Sequence, residues 1–464
     1  MTIITNNYEK VITEMIISKF SDNLRKVSTD ISYQNTPYKF IGIISNIDKT
    51  LLDIAKSSLV TIFETIDKSY CNSIERKRKY HIKAHLPRTI LTVFGEITFT
   101  RTFYTDRNNN GSYCHLDRFL GLKKNDYFDP YIKAKVIEES AKNSIPNVCN
   151  IINDLIGEKI SLEDKIKYLN RQTIRNIILS AKISRPERIE LATPRTIYII
   201  ADEKWAPTQN NNSKKVMIKS IVVFDGINGK KRRFLNNKRI FANFENGFLD
   251  EVLDYLYYTY DLDKVENIVV MGDGANWIRS LTSHFQINKN TNVIFALDKF
   301  HFKQAIHHIC IDPDFEDCLS TYVINNDKIN FNIFVEELKV SFPNRTETID
   351  RKTEYILNNW NYIQNLYKYD LSCPMESQIS HNLAYLLTSR PKGYSLQMLS
   401  KIIKIRLLYK NKENLKLLYL NNLNKAEIIE YKKETLNFDI FDKFKQFIPT
   451  YKDKIYTPNT VRFI

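Results

Sequence analysis

Three apolar segments in the second half of this chain each run into an aspartate: Ile197 to Asp202, Asn267 to Asp273 and Val293 to Asp298. A carboxylate at the end of a buried strand does nothing for a hydrophobic core, and in open α/β sheets the carboxyl edge of the strands is where ligands and chemistry collect. The surrounding pattern builds the rest of such a sheet. Thr196 to Asp202, Val216 to Phe224 and Arg233 to Phe244 read as an antiparallel run of strands. Helical spacing then alternates with the remaining strands, over Phe248 to Tyr260, Ala275 to Phe285 and Phe302 to Ile309. Strands that pass from hairpin-joined to helix-alternating predict an α/β domain with a mixed five-stranded sheet.

A fourth acid, Glu376, stands in Ser372-Cys373-Pro374-Met375-Glu376, which reads as a helix start with proline tolerated in the first turn. Its spacing to Ile379, Leu383 and Leu386 puts it on an apolar helical stripe, where an unpaired charge is expensive. Two aspartates and one glutamate suit Mg²⁺ or Mn²⁺, hard ions that take oxygen ligands. Two such ions can clamp the attacking and leaving oxygens of a phosphoryl displacement. These acids predict an enzyme that cuts nucleic acid, with Asp202, Asp273 and Glu376 as metal ligands.

At 464 residues the chain is long enough for two or three domains. Its formal net charge of +15 points towards a polyanionic partner, although a coding sequence rich in Lys, Asn and Ile codons could produce the same excess. No apolar run has the length of a membrane span, and Met1 to Phe20 lacks the basic-then-apolar order of a signal peptide, so an intracellular location is expected. Six cysteines without a C-x-x-C pair exclude a disulfide framework or zinc ribbon, and His307, His308, Cys310 and Cys318 read as structural.

The chain before the sheet is mainly helical. Residues 1–75 read as a helical module, and 76–185 as a DNA-binding region. Within the latter, the run Arg76-Lys77-Arg78-Lys79 is either a solvated linker or a phosphate contact. A β-hairpin is predicted over Thr89 to Tyr104 around Gly95. Helices follow over Ile132 to Lys142, Pro146 to Ile156 and Leu162 to Lys182. The last carries Arg171, Gln172 and Arg175, side chains suited to a recognition helix in a major groove. Lys230-Lys231-Arg232-Arg233 is a charged hairpin tip that could also meet a DNA backbone. Residues 192–311 and 372–410 form the predicted catalytic domain, 312–371 a helical insertion, and 411–464 a basic tail.

Four blocks carry a family resemblance: Tyr198 to Glu203, Gly272-Asp273-Gly274-Ala275-Asn276-Trp277-Ile278, Leu297 to His301, and Met375 to His381. Together with Thr92 to Ile97, Arg101, Tyr104 and Ser389-Arg390-Pro391, they resemble bacterial insertion-sequence transposases with a DDE centre. Within these the likeness is to the Mutator-like branch and its transposase-like group of formerly uncharacterised proteins. The resemblance implies a ribonuclease-H-like catalytic domain, a catalytic triad of Asp202, Asp273 and Glu376, and an accessory Asp298-x-x-His301 motif. It further implies Mg²⁺ or Mn²⁺ as cofactor, double-stranded DNA of element ends and target as partner, a homo-oligomer on DNA, and a place in the bacterial nucleoid. The pattern departs at Lys204-Trp205, where relatives usually carry an acid and a histidine. That departure leaves open a second expectation, an element-derived DNA-binding regulator that no longer cuts.

Overall fold

The computed structural model describes residues 13–14, 16–22, 25, 39–107, 111–156, 169–183, 191–209, 215–229, 234–245, 247–310, 312–369 and 393–422. Their contacts group into two compact units, Met1–Tyr131 with Tyr419–Ile464, and Ile132–Leu418. The region expected over 76–185 is therefore divided: its hairpin belongs to the first unit and its helices from Ile132 onward to the second.

In the first unit a long helix, α1 (Lys39–Asn72), leads through α2 (Ile74–Lys79) into the hairpin β1 (Tyr80–Thr92) and β2 (Gly95–Asp106). Ser73 caps α2, its side chain accepting from the Arg76 amide, so the basic run forms a helical turn joined directly to a strand. Gly95 turns the hairpin at φ +107, and a Cβ there would lie 2.7 Å from Lys56 Cε of α1. The hairpin extends well beyond Thr89 to Tyr104. Its outer part, with His81, Lys83 and His85, lacks the apolar alternation that marks a half-buried strand. β3 (Ser112–Cys114) adds to β2, and α3 (His115–Phe119) closes the unit's core of Ile90, Ile97, Phe99, Leu116 and Leu122.

The second unit opens within α4 (Pro130–Ser140), which is followed by α5 (Ile145–Leu155) and α6 (Arg171–Ser180). Asn170 caps α6, accepting from the Thr173 amide, so this helix begins well after Leu162; residues 157–168 lie outside those described. The sheet has five strands in the order β10 (Asn292–Leu297), β9 (Asn267–Gly272), β4 (Thr196–Pro207), β5 (Lys215–Phe224), β8 (Arg239–Asn243). β10, β9 and β4 run parallel, while β5 and β8 are antiparallel additions. The fold class is thus mixed α/β with a mixed five-stranded sheet, as predicted.

Two details differ from the prediction. The expected strand Arg233 to Phe244 is split, because β6 (Ile227–Asn228) and β7 (Phe234–Leu235) make a separate two-stranded ribbon before β8. β4 also does not stop at Asp202 but continues to Pro207, held by its antiparallel pairing with β5.

Helices cover both faces of the sheet. On one, α7 (Phe248–Thr259) and the short α8 (Asn276–Arg279) and α9 (Leu281–His284) pack on Ile197, Ile199, Ala201, Ile221 and Val223. Alternation along β4 sends Ile200 to the other face, with Val222, Phe224, Val269, Met271 and Ala296. α10 (Lys299–Ile309) follows β10 and packs with the helical insertion, α11 (Pro313–Ile324), α12 (Lys328–Ser341), α13 (Thr346–Asn358) and α14 (Trp360–Lys368). Leu366 of α14 and Leu407 of α15 (Leu396–Lys410) lie on the Ile200 face. Among the described residues no helix is long and apolar enough to cross a membrane.

Candidate active site

Strand register brings the three aspartates into one row. Ile200 of β4 pairs with Met271 of β9, and Leu297 of β10 pairs with Gly272. Continuing those registers sets Asp202, Asp273 and Asp298 level across three adjacent strands, and the Asp298 amide donates to the Gly272 carbonyl at 2.8 Å. Ile200, Met271 and Ala296, each two residues earlier, share one core, so alternation directs the aspartates to that same face.

The charges interact. Burial raises the Asp202 carboxyl above its usual range, and the neighbouring charge of Asp273 adds to the rise; the Glu203 amide, donating to Asp202 Oδ1 at 2.7 Å, opposes it. Asp298 is 1% exposed at the start of α10, where His301 Nδ1 donates to its Oδ2 at 2.9 Å. Its other oxygen has no hydrogen-bond partner among the described residues. The bond to Asp298 holds His301 above its ordinary value of 6.5, helped by the negative charges of Asp298, Asp273 and Asp202 and opposed by burial.

This geometry makes a pH-dependent prediction. Because the fold favours the protonated imidazole, its contribution to stability is fully present below about pH 6.5 and is lost as pH rises through the raised folded value. An NMR titration should give His301 a pKa above 6.5 in the native protein. Asp298→Asn removes both the acceptor charge and the ion pair, so the His301 value should fall. An unchanged titration in that variant would sink the pairing.

The turn after β9 is tightly built. A Cβ on Gly272 would lie 2.6 Å from Ile278 Cγ2, and Gly274 adopts φ +90 with the Asn359 amide oxygen 2.7 Å from where a Cβ would sit. Asp273 Oδ1 accepts from the Ala275 amide at 2.9 Å, and Arg279 Nε donates to the Gly274 carbonyl at 2.6 Å. From the helical insertion, the Tyr355 hydroxyl donates to the Asp273 carbonyl at 2.7 Å. Burial raises that phenol, and the charges of Asp273 and Asp298 raise it further. Tyr355 and Asn359 occupy one helical face, but their i, i+4 spacing lies in an aromatic-rich stretch that reads as ordinary core. Nothing in the spacing marks them as supports of the aspartate row.

Glu203 occupies the opposite face of β4. It accepts from Trp277 Nε1 at 2.7 Å, and Lys219 of β5 places its Nζ 5.1 Å from the Trp277 ring centroid. That gives Trp277 a packing role beside the core and gives Glu203 a structural partner.

Asp202 and Asp273 offer oxygen donors and a like-charge pair that a divalent cation would relieve, so their chemistry fits Mg²⁺ or Mn²⁺. Among the described residues no three His, Cys, Asp or Glu side chains gather closely enough to hold a metal ion. Glu376 lies outside the described residues, as does Lys230-Lys231-Arg232-Arg233. The remaining candidate DNA contacts fall in both units. Lys77, Arg78 and Lys79 are exposed on α2, while Arg76 Nε donates to the Cys71 carbonyl at 2.6 Å. Arg171 and Gln172 are exposed at the start of α6, and Arg175 donates to Ser395 Oγ at 3.4 Å.

A mixed α/β sheet with acids aligned at the carboxyl edge of its parallel strands defines a class of protein in which that edge is the place for ligand chemistry. The chain belongs to the uncharacterised protein family UPF0236, whose pattern it matches over residues 36–420. Among its relatives are UPF0236 proteins of Caldanaerobacter subterraneus subsp. tengcongensis. One is 26% identical over 385 residues, covering 80% of this chain and 77% of the relative. Another is 25% identical over 415 residues, covering 86% and 82%.

Proposed function

We propose that this protein is a DDE transposase of the Mutator-like branch, built on a ribonuclease-H-like sheet, that cuts the ends of its own insertion sequence and joins them to target DNA. The observation carrying this reading is the row of Asp202, Asp273 and Asp298 across three parallel strands. Glu376 is the proposed third ligand beside Asp202 and Asp273. It belongs to the segment between α14 and α15, helices that each send a leucine to the sheet face of the aspartates. When bound, Mg²⁺ or Mn²⁺, two ions in the full arrangement, would polarise the scissile phosphodiester and favour deprotonation of the attacking water.

The chain's own groups divide the remaining work. Asp202, with its carboxyl raised by burial, and Asp273 orient the nucleophile and phosphate at one centre. Asp298 fixes His301, which as an imidazolium at the row's edge hydrogen-bonds a phosphate oxygen or the leaving 3′-oxygen. Water attacks first and frees a 3′-hydroxyl; that hydroxyl then attacks target DNA, with the displaced 3′-oxygen as leaving group. The basic groups of α2 and α6 hold the duplex by its phosphates and groove edges.

The test uses full-length protein and labelled duplexes cut from the DNA that flanks its gene, where the reading expects short inverted repeats. Nicking at the repeat ends and joining into a second duplex should require Mg²⁺ or Mn²⁺, while Ca²⁺ should permit binding with little chemistry. Cleavage that survives excess chelator would exclude the mechanism. Cleavage without joining would identify a nuclease instead.

A further inference from the structure

At the carboxyl end of α6, three lysines meet around a small cleft. It has a volume of about 200 Å³ and, among the described residues, is lined by Ala181, Lys182, Ile183, Lys401, Lys404 and Ile405. Lys401 anchors the floor, its Nζ donating to the Ala181 carbonyl at 2.9 Å. Burial lowers the Lys401 ammonium, and the charges of Lys404 and Lys182 lower it further, so the cluster is held together against its own repulsion. Lys404 also borders a larger groove containing Glu245, Glu251 and Asp254, but none of those acids lines the cleft.

We propose that this lysine cleft binds a backbone phosphate of double-stranded DNA. A concave site with lysines and apolar side chains in its lining suits a phosphate, whose charge would offset the repulsion that Lys404 and Lys182 exert on Lys401. Its position fits a duplex. Arg171 and Gln172 are exposed at the first turn of α6, and the cleft lies at the other end of that ten-residue helix, about 15 Å away. A helix lying in a major groove about 12 Å wide has phosphate ridges near both its ends. The inference rests on DNA being the partner, as proposed above, and adds where the backbone is gripped.

Full-length protein would be titrated with a random-sequence duplex across a range of salt, comparing wild type, Lys401→Gln/Lys404→Gln and the distant charge control Lys264→Gln/Lys289→Gln. Thermal melting would confirm that each variant folds. The cleft variant should lose roughly tenfold in affinity at moderate salt, with a salt slope shallower by about 0.9, the contribution of one phosphate contact. The control should move much less. If wild type binds DNA but the cleft variant matches wild type or the control, the cleft assignment fails and the DNA reading stands. If wild type does not bind DNA, both fail, and protection of Lys401 and Lys404 from amine labelling by pyrophosphate would show instead a site for a free phosphate.

Discussion

Alanine at Asp202, Asp273 or Glu376 should abolish end cleavage and strand transfer together, each falling by ~10³-fold or more, while DNA binding persists. A loss of that size corresponds to at least ~4 kcal/mol of transition-state stabilisation. It is expected because each substitution removes an oxygen donor that no neighbour can replace. Both steps should fall in parallel because the proposed mechanism uses water and the 3′-hydroxyl in turn at one centre. Binding should tighten in the Asp273 variant, since one fewer carboxylate then faces the phosphates. Glu203→Gln supplies the contrast: its side chain lies across β4 against Trp277, so the chemistry should change little. His301→Ala should slow both steps without abolishing them. The readout is a labelled end substrate scored separately for nicks and joined products. Wild-type-like cleavage by Asp273→Ala or Glu376→Ala would remove those residues from the proposed triad. Loss of folding in all three alanine variants would make the acids structural.

The row of aspartates was legible because a buried parallel strand is a nearly continuous apolar run, and an acid closing such a run stands out. Asp202 nonetheless ends the apolar run without ending the strand. β4 outlasts its parallel neighbour because β5 continues to pair with it as far as Pro207, and the polar residues of that extension give no strand signal of their own. The same blindness shortened the hairpin, whose outer half is exposed and carries histidine and lysine. α6 starts at Arg171 behind its Asn170 cap, a boundary that one polar residue marks only weakly in a sequence of helical periodicity. Tyr355 and Asn359 are illegible in the sequence for a different reason. Their importance comes from docking the insertion against the Asp273–Gly274 turn, a tertiary contact that leaves no mark on local spacing.

Asp117→Ala should destabilise the first unit by about 3 kcal/mol, the lower end of the cost of removing one member of a buried ion pair, because Asp117 and Arg101 keep some exposure. Asp117 Oδ2 accepts from Arg88 Nη1 at 2.9 Å and also pairs with Arg101. Arg88 is 6% exposed and further donates to the carbonyls of Lys123 and Asp126, which fix it in place. Arg101 is held beneath Phe103, its guanidinium 4.8 Å from the ring centroid. Burial lowers the Arg101 guanidinium, and the charge of Arg88 lowers it further, so the carboxylate between them offsets a like-charge contact as well as two desolvation costs. Without it, two guanidiniums remain close together and away from water. Arg101→Met should cost less, because Arg88 keeps its carboxylate. In a double-mutant cycle, Asp117→Ala on the Arg101→Met background should therefore be milder than on wild type. Calorimetry on the full chain, following the transition of this unit, measures each arm. A loss under about 1 kcal/mol for Asp117→Ala would mean that solvent or a shifted backbone replaces the carboxylate.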